Sequence, residues 1–184
     1  YRSSNTNDVV EGMKDLVKST KKFYPTLKNK TVLDIGCNDG TLLSLFKKQG
    51  AKTYGVEPTG AYLDAKNKNH YVFNKYFDLR TANQINRKLK NIDIITFTNV
   101  FAHIEDPNNL VRLIKKLMGK KSVFVSESHY LLSLIKTLQY DTIYHEHLRY
   151  YHVGALQQLF ERNGLEIIFV KKIKTHGGSI RVYA

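Results

Sequence analysis

The chain has 184 residues, 42% of them hydrophobic and 24% charged, a length that suits one domain with a proper core. No apolar run approaches the roughly 20 residues that a membrane helix needs, and no signal peptide opens the chain; a cytoplasmic globular protein is expected. The single cysteine, Cys37, excludes an internal disulfide and a cysteine-cluster zinc site. The first residue is Tyr1 and not Met, which reads as a processed or trimmed terminus.

The net charge of +13 raises the question of a polyanionic partner. The lysines fall mostly in pairs, Lys47-Lys48, Lys115-Lys116, Lys120-Lys121 and Lys171-Lys172, with no run of five. Several pairs sit where a helix should end and where cations complement the helix dipole. The balance favours a solvated basic surface over a nucleic-acid site.

Taken in chain order, Val9, Val10, Met13, Leu16, Val17 and Phe23 fit one helix face, with Asp8 and Glu11 spaced as a start signal. A short apolar strand at 31–35 leads through a loop to a helix at 41–49 that Gly50 stops. A second strand at 52–57 is closed by Pro58, and a helix at 61–68 leads to a third strand at 71–74. A helix at 82–89 precedes the fourth strand, 92–97. Asp106-Pro107 opens the next helix, which runs to Met118, and 122–126 is the fifth strand. This βαβ alternation implies a parallel sheet with helices on both faces. Residues 127–151 depart from it and are dense in His and Tyr. A helix at 153–163, stopped by Gly164, precedes strands at 165–172 and 179–183, which Gly177-Gly178 turns into a hairpin.

In an open α/β sheet, ligands bind at the carboxyl ends of the strands. The first strand ends in Asp34-Ile35-Gly36-Cys37-Asn38-Asp39-Gly40, and the second in Gly55-Val56-Glu57-Pro58. Gly36 and Gly40 allow a tight turn and close approach to a ligand. Glu57 has the reach for the hydroxyls of a ribose. A dinucleotide would call for G-x-G-x-x-G with helix-start amides on a pyrophosphate. This loop is G-x-x-x-G, and Asp34 and Asp39 would repel phosphate. S-adenosylmethionine carries a sulfonium and an ammonium, and carboxylates at this mouth suit it.

These residues resemble the class I S-adenosylmethionine-dependent methyltransferases. The resemblance implies a Rossmann-like α/β fold, a seven-stranded, mostly parallel sheet with an antiparallel last strand. It places the Asp34 and Gly36 positions against the methionine end and the Glu57 position on the ribose. It extends the cofactor-binding set to Cys37, Asn38, Gly40, Pro58, Asn99 and Val100, with Cys37 a small filler and not a nucleophile.

The acceptor is addressed by the end of the fourth strand, Phe97-Thr98-Asn99-Val100-Phe101-Ala102-His103, and by the 127–151 insert. Enzymes that methylate exocyclic amines or glutamine amides carry Asn/Asp-Pro-Pro-Tyr/Phe at this strand end, and cytosine C5 methylation needs a Pro-Cys nucleophile. Both motifs are missing. The insert contains Tyr144-His145-Glu146-His147. Zinc ligation by His145 and His147 has no obvious third ligand and no H-x-x-x-H spacing, so no metal is expected. Acid–base chemistry is the stronger reading: a histidine titrates near working pH, a carboxylate such as Glu146 can fix its tautomer, and Tyr144 can donate to a developing oxyanion.

Tyr144-x-Glu146-His147, Leu148-x-Tyr150-Tyr151, the terminal Gly-Gly-Ser-Ile-Arg-Val, Asn99-Val-Phe-Ala-His103 and the opening Tyr1-Arg-Ser-Ser resemble the deoxysugar C-methyltransferases. Those enzymes methylate a carbon beside the keto group of nucleotide-linked 4-keto-6-deoxysugars. The resemblance implies His147 as base, Tyr144 and Glu146 as its partners and His103 as a second active-site histidine, with Tyr144 an alternative base. Arg149 is a candidate partner for a sugar-nucleotide diphosphate, with a packing role equally open. The family also carries a cysteine-rich zinc domain and a further carboxyl-terminal domain. The chain therefore reads as a single methyltransferase domain, 1–184, either the catalytic core of a longer protein or a reduced relative with a different acceptor, with 127–151 as its active-site insert. A small-molecule substrate is expected, with neither nucleic acid nor membrane as partner. O- or N-methylation of another small molecule, and a non-catalytic nucleic-acid-binding module, are the competing readings. The oligomeric state is not legible.

Overall fold

A computed structural model describes residues 2–184; Tyr1 of the Tyr1-Arg-Ser-Ser segment lies outside the described residues. The strands are β1 (Thr31–Ile35), β2 (Lys52–Val56), β3 (Tyr71–Phe73), β4 (Ile92–Thr98), β5 (Met118–His129), β6 (Phe169–Ile173) and β7 (Ser179–Tyr183). The helices are α1 (Asn7–Thr20), α2 (Thr41–Lys48), α3 (Tyr62–Asn67), α4 (Leu79–Lys88), α5 (Pro107–Leu117), α6 (Leu131–Thr137) and α7 (Val153–Arg162). The strands form one seven-stranded sheet in the order β3-β2-β1-β4-β5-β7-β6. β1 pairs parallel with β2 and β4, and β2 with β3. β7 runs antiparallel to β6, as the hairpin reading predicts, and antiparallel to β5, as the resemblance implies. Successive residues Val32, Leu33, Asp34 and Ile35 are all buried, the mark of a strand covered on both faces.

Contacts divide the chain into two compact units. The first takes in the chain up to Thr96 together with Leu117–Val123. There α1 packs on α2, and α2 on β2. Leu42, Leu43 and Phe46 of α2 are almost wholly buried, each contributing roughly 1.5–3 kcal/mol of transfer free energy. His70, 4% exposed, ties Thr53 of β2 to Ser44 of α2 through its two ring nitrogens, at 2.8 and 2.9 Å.

The second unit comprises Phe97–Lys116 and Phe124–Ala184. Its core is aromatic: Phe101 meets Phe97 at 4.9 Å and Tyr151 at 5.7 Å, both edge to face, and Phe124 meets Phe160 at 5.6 Å. Such pairs add roughly 0.5–1.5 kcal/mol each beyond burial. Glu127 of β5 and Arg181 of β7 stand opposite in register and form a buried ion pair. Removing either partner would strand the other's charge.

Several boundaries differ from the sequence reading, among them the start of β5, which lies at Met118 and not at 122. α4 starts at Leu79 because Asp78 caps it, accepting from the Thr81 amide at 2.7 Å. β5 runs on to His129, and α6 lies inside the insert. β6 begins at Phe169, because the Leu165 amide closes the end of α7 on the Phe160 carbonyl. The Lys47-Lys48 and Lys115-Lys116 pairs do occupy helix last turns and are exposed. Among the described residues no helix is long and apolar enough to cross a membrane.

Candidate active site

Beyond β1 the backbone turns through left-handed conformations at Gly36, Asn38 and Gly40. At Gly40 a β-carbon would stand 2.8 Å from the Ala65 β-carbon and 2.9 Å from His70, so only glycine fits. Asp39 is 1% exposed. Its carboxylate accepts from the Ser4 amide and from the amide and hydroxyl of Thr41 at the start of α2. Burial alone would raise its pKa, yet these hydrogen bonds and the Lys68 charge hold it below the usual carboxylate range. The Ser3 amide likewise donates to Asn38 Oδ1, so the Arg2-Ser3-Ser4 segment is laid along this loop.

Glu57 follows β2 and is 5% exposed. Its Oε2 accepts from the Asn38 amide at 2.9 Å, while Oε1 accepts from the Thr59 amide at 2.9 Å and the Thr59 hydroxyl at 2.6 Å. A carboxylate offers about four acceptor sites, so room for a further donor remains on Oε2. The carbonyls of Glu57 and Pro58 accept from the Asn74 side chain. Asp34 is 2% exposed and accepts from the Thr96 hydroxyl at 2.6 Å.

Cys37 packs where a β-carbon on Gly55 would overlap its sulfur. Burial pushes its thiol well above the usual range, and the charges of Asp34, Glu57 and Asp39 push further. The thiol is therefore an inert filler. The same three carboxylates set up a negative potential in the loop, which favours a cationic ligand over a phosphate. The two aspartates act through this field, since their oxygens are engaged within the fold. A sulfonium-bearing, ribose-bearing group such as S-adenosylmethionine fits these residues.

Asn99 and Val100 belong to the second unit. Asn99 sits at φ 58°. Its amide donates to the Glu127 carbonyl at 2.9 Å, and its Nδ2 lies 3.3 Å from His176 Nε2. Its Oδ1 is buried with no partner among the described residues, an acceptor that a bound donor would satisfy. Val100 is half-buried, and its carbonyl receives the His103 amide at 3.0 Å.

Main-chain groups lace the insert to the turn that follows β4. The Leu148 amide donates to the Ala102 carbonyl at 2.8 Å, and Arg149 donates to the carbonyls of Ile104 and Glu105. Arg149 is thus a fastener of this loop. The lacing brings His103 and His147 together, with ring centres 5.1 Å apart. His103 Nδ1 lies 2.9 Å from the Glu146 carbonyl, and His147 Nδ1 lies 2.8 Å from the Thr142 carbonyl. A carbonyl only accepts, so both neutral rings carry their proton on Nδ1 and present a basic Nε2. The Tyr144 hydroxyl then donates to His147 Nε2 across 3.2 Å. The tautomer of His147 is fixed by Thr142, not by Glu146 as the sequence suggested. The Glu146 side chain is exposed and makes no hydrogen bond or ion pair among the described residues, and His145 is exposed as well.

Two histidines that sequence reasoning did not single out complete the cluster. The ring of His129, at the end of β5, lies 5.1 Å from His147 and 5.5 Å from His176. Burial, then the neighbouring His176, His147 and His103, lowers its pKa to about 4. Among the described residues no three His, Cys, Asp or Glu side chains are arranged to hold a metal ion.

A seven-stranded sheet with an antiparallel last strand, a glycine turn after β1 and an acid after β2 define the Rossmann-like methyltransferase fold. Residues 10–170 match the family model described as "Methyltransferase domain", and the chain belongs to that family, as an S-adenosylmethionine-dependent methyltransferase domain. It is 29% identical over 185 residues to the C-methyltransferase NovU of Streptomyces niveus, which covers 100% of this chain and 44% of that protein. The chain thus spans less than half the length of that relative. It is 26% identical over 164 residues to the ubiquinone biosynthesis O-methyltransferase of Coxiella burnetii, covering 82% of this chain and 70% of that one. Among solved structures, a Pyrococcus horikoshii OT3 protein superposes with a TM-score of 0.77 at 16% identity, over 100% of this chain and 93% of its own. The magnesium protoporphyrin IX methyltransferase of Synechocystis PCC 6803, solved with bound S-adenosylhomocysteine, gives 0.72 at 16% identity over 95% and 81%.

Proposed function

We propose that the chain carries the catalytic residues of a C-methyltransferase acting beside the keto group of a nucleotide-linked deoxysugar. The observation that carries the reading is the Thr142–His147–Tyr144 hydrogen-bond chain, with its fixed tautomer and its basic Nε2 facing a phenol. O- or N-methylation of a good nucleophile needs less machinery, whereas a carbon nucleophile forms only when a base removes the α-proton. His147 receives the proton that leaves the carbon α to the carbonyl, either directly or through Tyr144, which gives its own proton to Nε2 as it takes the new one. The Thr142 carbonyl steadies the resulting imidazolium through Nδ1–H. His103, anchored by the Glu146 carbonyl, orients the sugar or the enolate oxygen. Glu57, Asn38, Gly36 and Gly40, in the field of Asp34, would hold S-adenosylmethionine, which supplies an electrophilic methyl group for the enolate carbon. The 29% identity to a C-methyltransferase supports the same reading.

The likeness to a ubiquinone biosynthesis O-methyltransferase favours the second reading, transfer to oxygen. Incubation in D2O with S-adenosylmethionine and a panel of nucleotide-linked 4-keto-6-deoxysugars and phenols separates the two. C-methylation predicts a methylated ketosugar with no hydrogen left on the methylated carbon, and deuterium at the α-position of the unreacted ketosugar. A methylated phenol, with no α-exchange in any ketosugar, would support O-transfer.

A further inference from the structure

His129 closes β5, and its backbone pairs in register with Ser179 of β7. Its half-buried ring lies in the middle of a row of histidines, between His147 and His176. The other three are tethered: His103 to a carbonyl, His147 to a carbonyl and a phenol, His176 to Asn99. Neither ring nitrogen of His129 has a hydrogen-bond partner among the described residues. A half-buried imidazole with no protein partner on either nitrogen stands beside the candidate base and is able to take a ligand.

We propose that His129 is a further catalytic residue, donating a hydrogen bond from its neutral imidazole to the keto oxygen of the acceptor while the Tyr144–His147 pair removes the adjacent proton. This rests on the ketosugar reading above. The proton to be removed and the carbonyl oxygen are separated by only two carbons, so base and polarising donor must come from neighbouring side chains. Rings 5.1 Å apart meet that requirement. The titratable groups acting on His129 are His176, His147 and His103, with no carboxylate among them, so nothing draws the ring into its cationic form at neutral pH. Neutrality matters to the chemistry. An imidazolium would surrender its proton to the enolate and leave a poorly nucleophilic enol, whereas the neutral ring keeps its proton and stabilises the oxyanion through the hydrogen bond. The balance is complete: the α-proton goes to the Tyr144–His147 pair, the C–H electron pair moves into the enolate, and His129 is unchanged.

The test is α-proton exchange in D2O with the same panel of nucleotide-linked 4-keto-6-deoxysugars and S-adenosylhomocysteine, read by NMR at saturating sugar, with S-adenosylhomocysteine affinity measured in parallel. Wild type should exchange. His129→Leu should lose about 100-fold or more of that rate, the scale of a lost oxyanion donor, at unchanged S-adenosylhomocysteine affinity. His129→Gln, which keeps an N–H donor, should retain most of it. Wild-type exchange in His129→Leu would overturn the assignment, and so would equal losses in both variants. No exchange in the wild type would overturn the ketosugar reading itself, and this assignment with it.

Discussion

The phenol of Tyr144 donates to Nε2 of His147 across 3.2 Å, and the far nitrogen of the same ring is held by the Thr142 carbonyl at 2.8 Å. The two side chains form one proton-accepting unit. His147→Gln and Tyr144→Phe should therefore each lower turnover by a similar factor, about 10²–10⁴-fold. The double variant should be little worse than either single one, as for residues that act together. Steady-state rates of methyl transfer check this, and additive losses would show that the two act independently.

Glu57 joins the turn after β1 to the end of β2 by accepting from Asn38 and Thr59. Glu57→Ala should weaken S-adenosylmethionine binding by about 1–3 kcal/mol, or roughly fivefold to 150-fold in Kd. Titration calorimetry measures it. Unchanged affinity would remove Glu57 from the ribose.

What was legible in the sequence was what depends on near neighbours. The apolar run of β1, the glycines of its turn and the acid after β2 are all local, and they give the fold and the donor-binding loop. The start of α4 was missed because its first residues, Leu79 and Arg80, are exposed and its cap at Asp78 lies ahead of the buried stripe. His129 and His176 were missed for a different reason. One ends a strand and the other sits in a turn at φ 53°, and the antiparallel pairing of β5 with β7 brings them together. No spacing rule announces that. Glu146 was given a role that a main-chain carbonyl fills, because carbonyls leave no trace in side-chain patterns.

Cys37 and Gly55 share one space. Gly55→Ala should cost about 1–3 kcal/mol, the scale of overpacking, because its β-carbon meets the Cys37 sulfur. Cys37→Ala should recover part of that loss in the double variant. Denaturant unfolding of the four proteins measures the coupling. A double variant no more stable than Gly55→Ala would contradict the contact.

His70 is neutral and buried between two hydroxyls, and burial, then the Lys47 and Lys68 charges, lowers its pKa to about 4. The unfolded chain takes up a proton near pH 6.5 that the fold denies this ring, so acid favours unfolding across that window. Its contribution is fully present above about pH 6.5 and is lost as pH falls through about 4, at up to about 1.4 kcal/mol per pH unit. His129 acts in the same direction. Chemical denaturation from pH 7 to 4 should show the decline, and His70→Gln should flatten it. An equal slope in the variant would assign the pH dependence elsewhere.

The decisive measurement is where the methyl group goes. Turnover with S-adenosylmethionine labelled with 13C in its methyl group, on a nucleotide-linked 4-keto-6-deoxysugar bearing 13C in the ring, should give a product whose methyl signal is split by one-bond carbon–carbon coupling. A methyl signal without that coupling, at an oxygen- or nitrogen-bound position, would contradict the account.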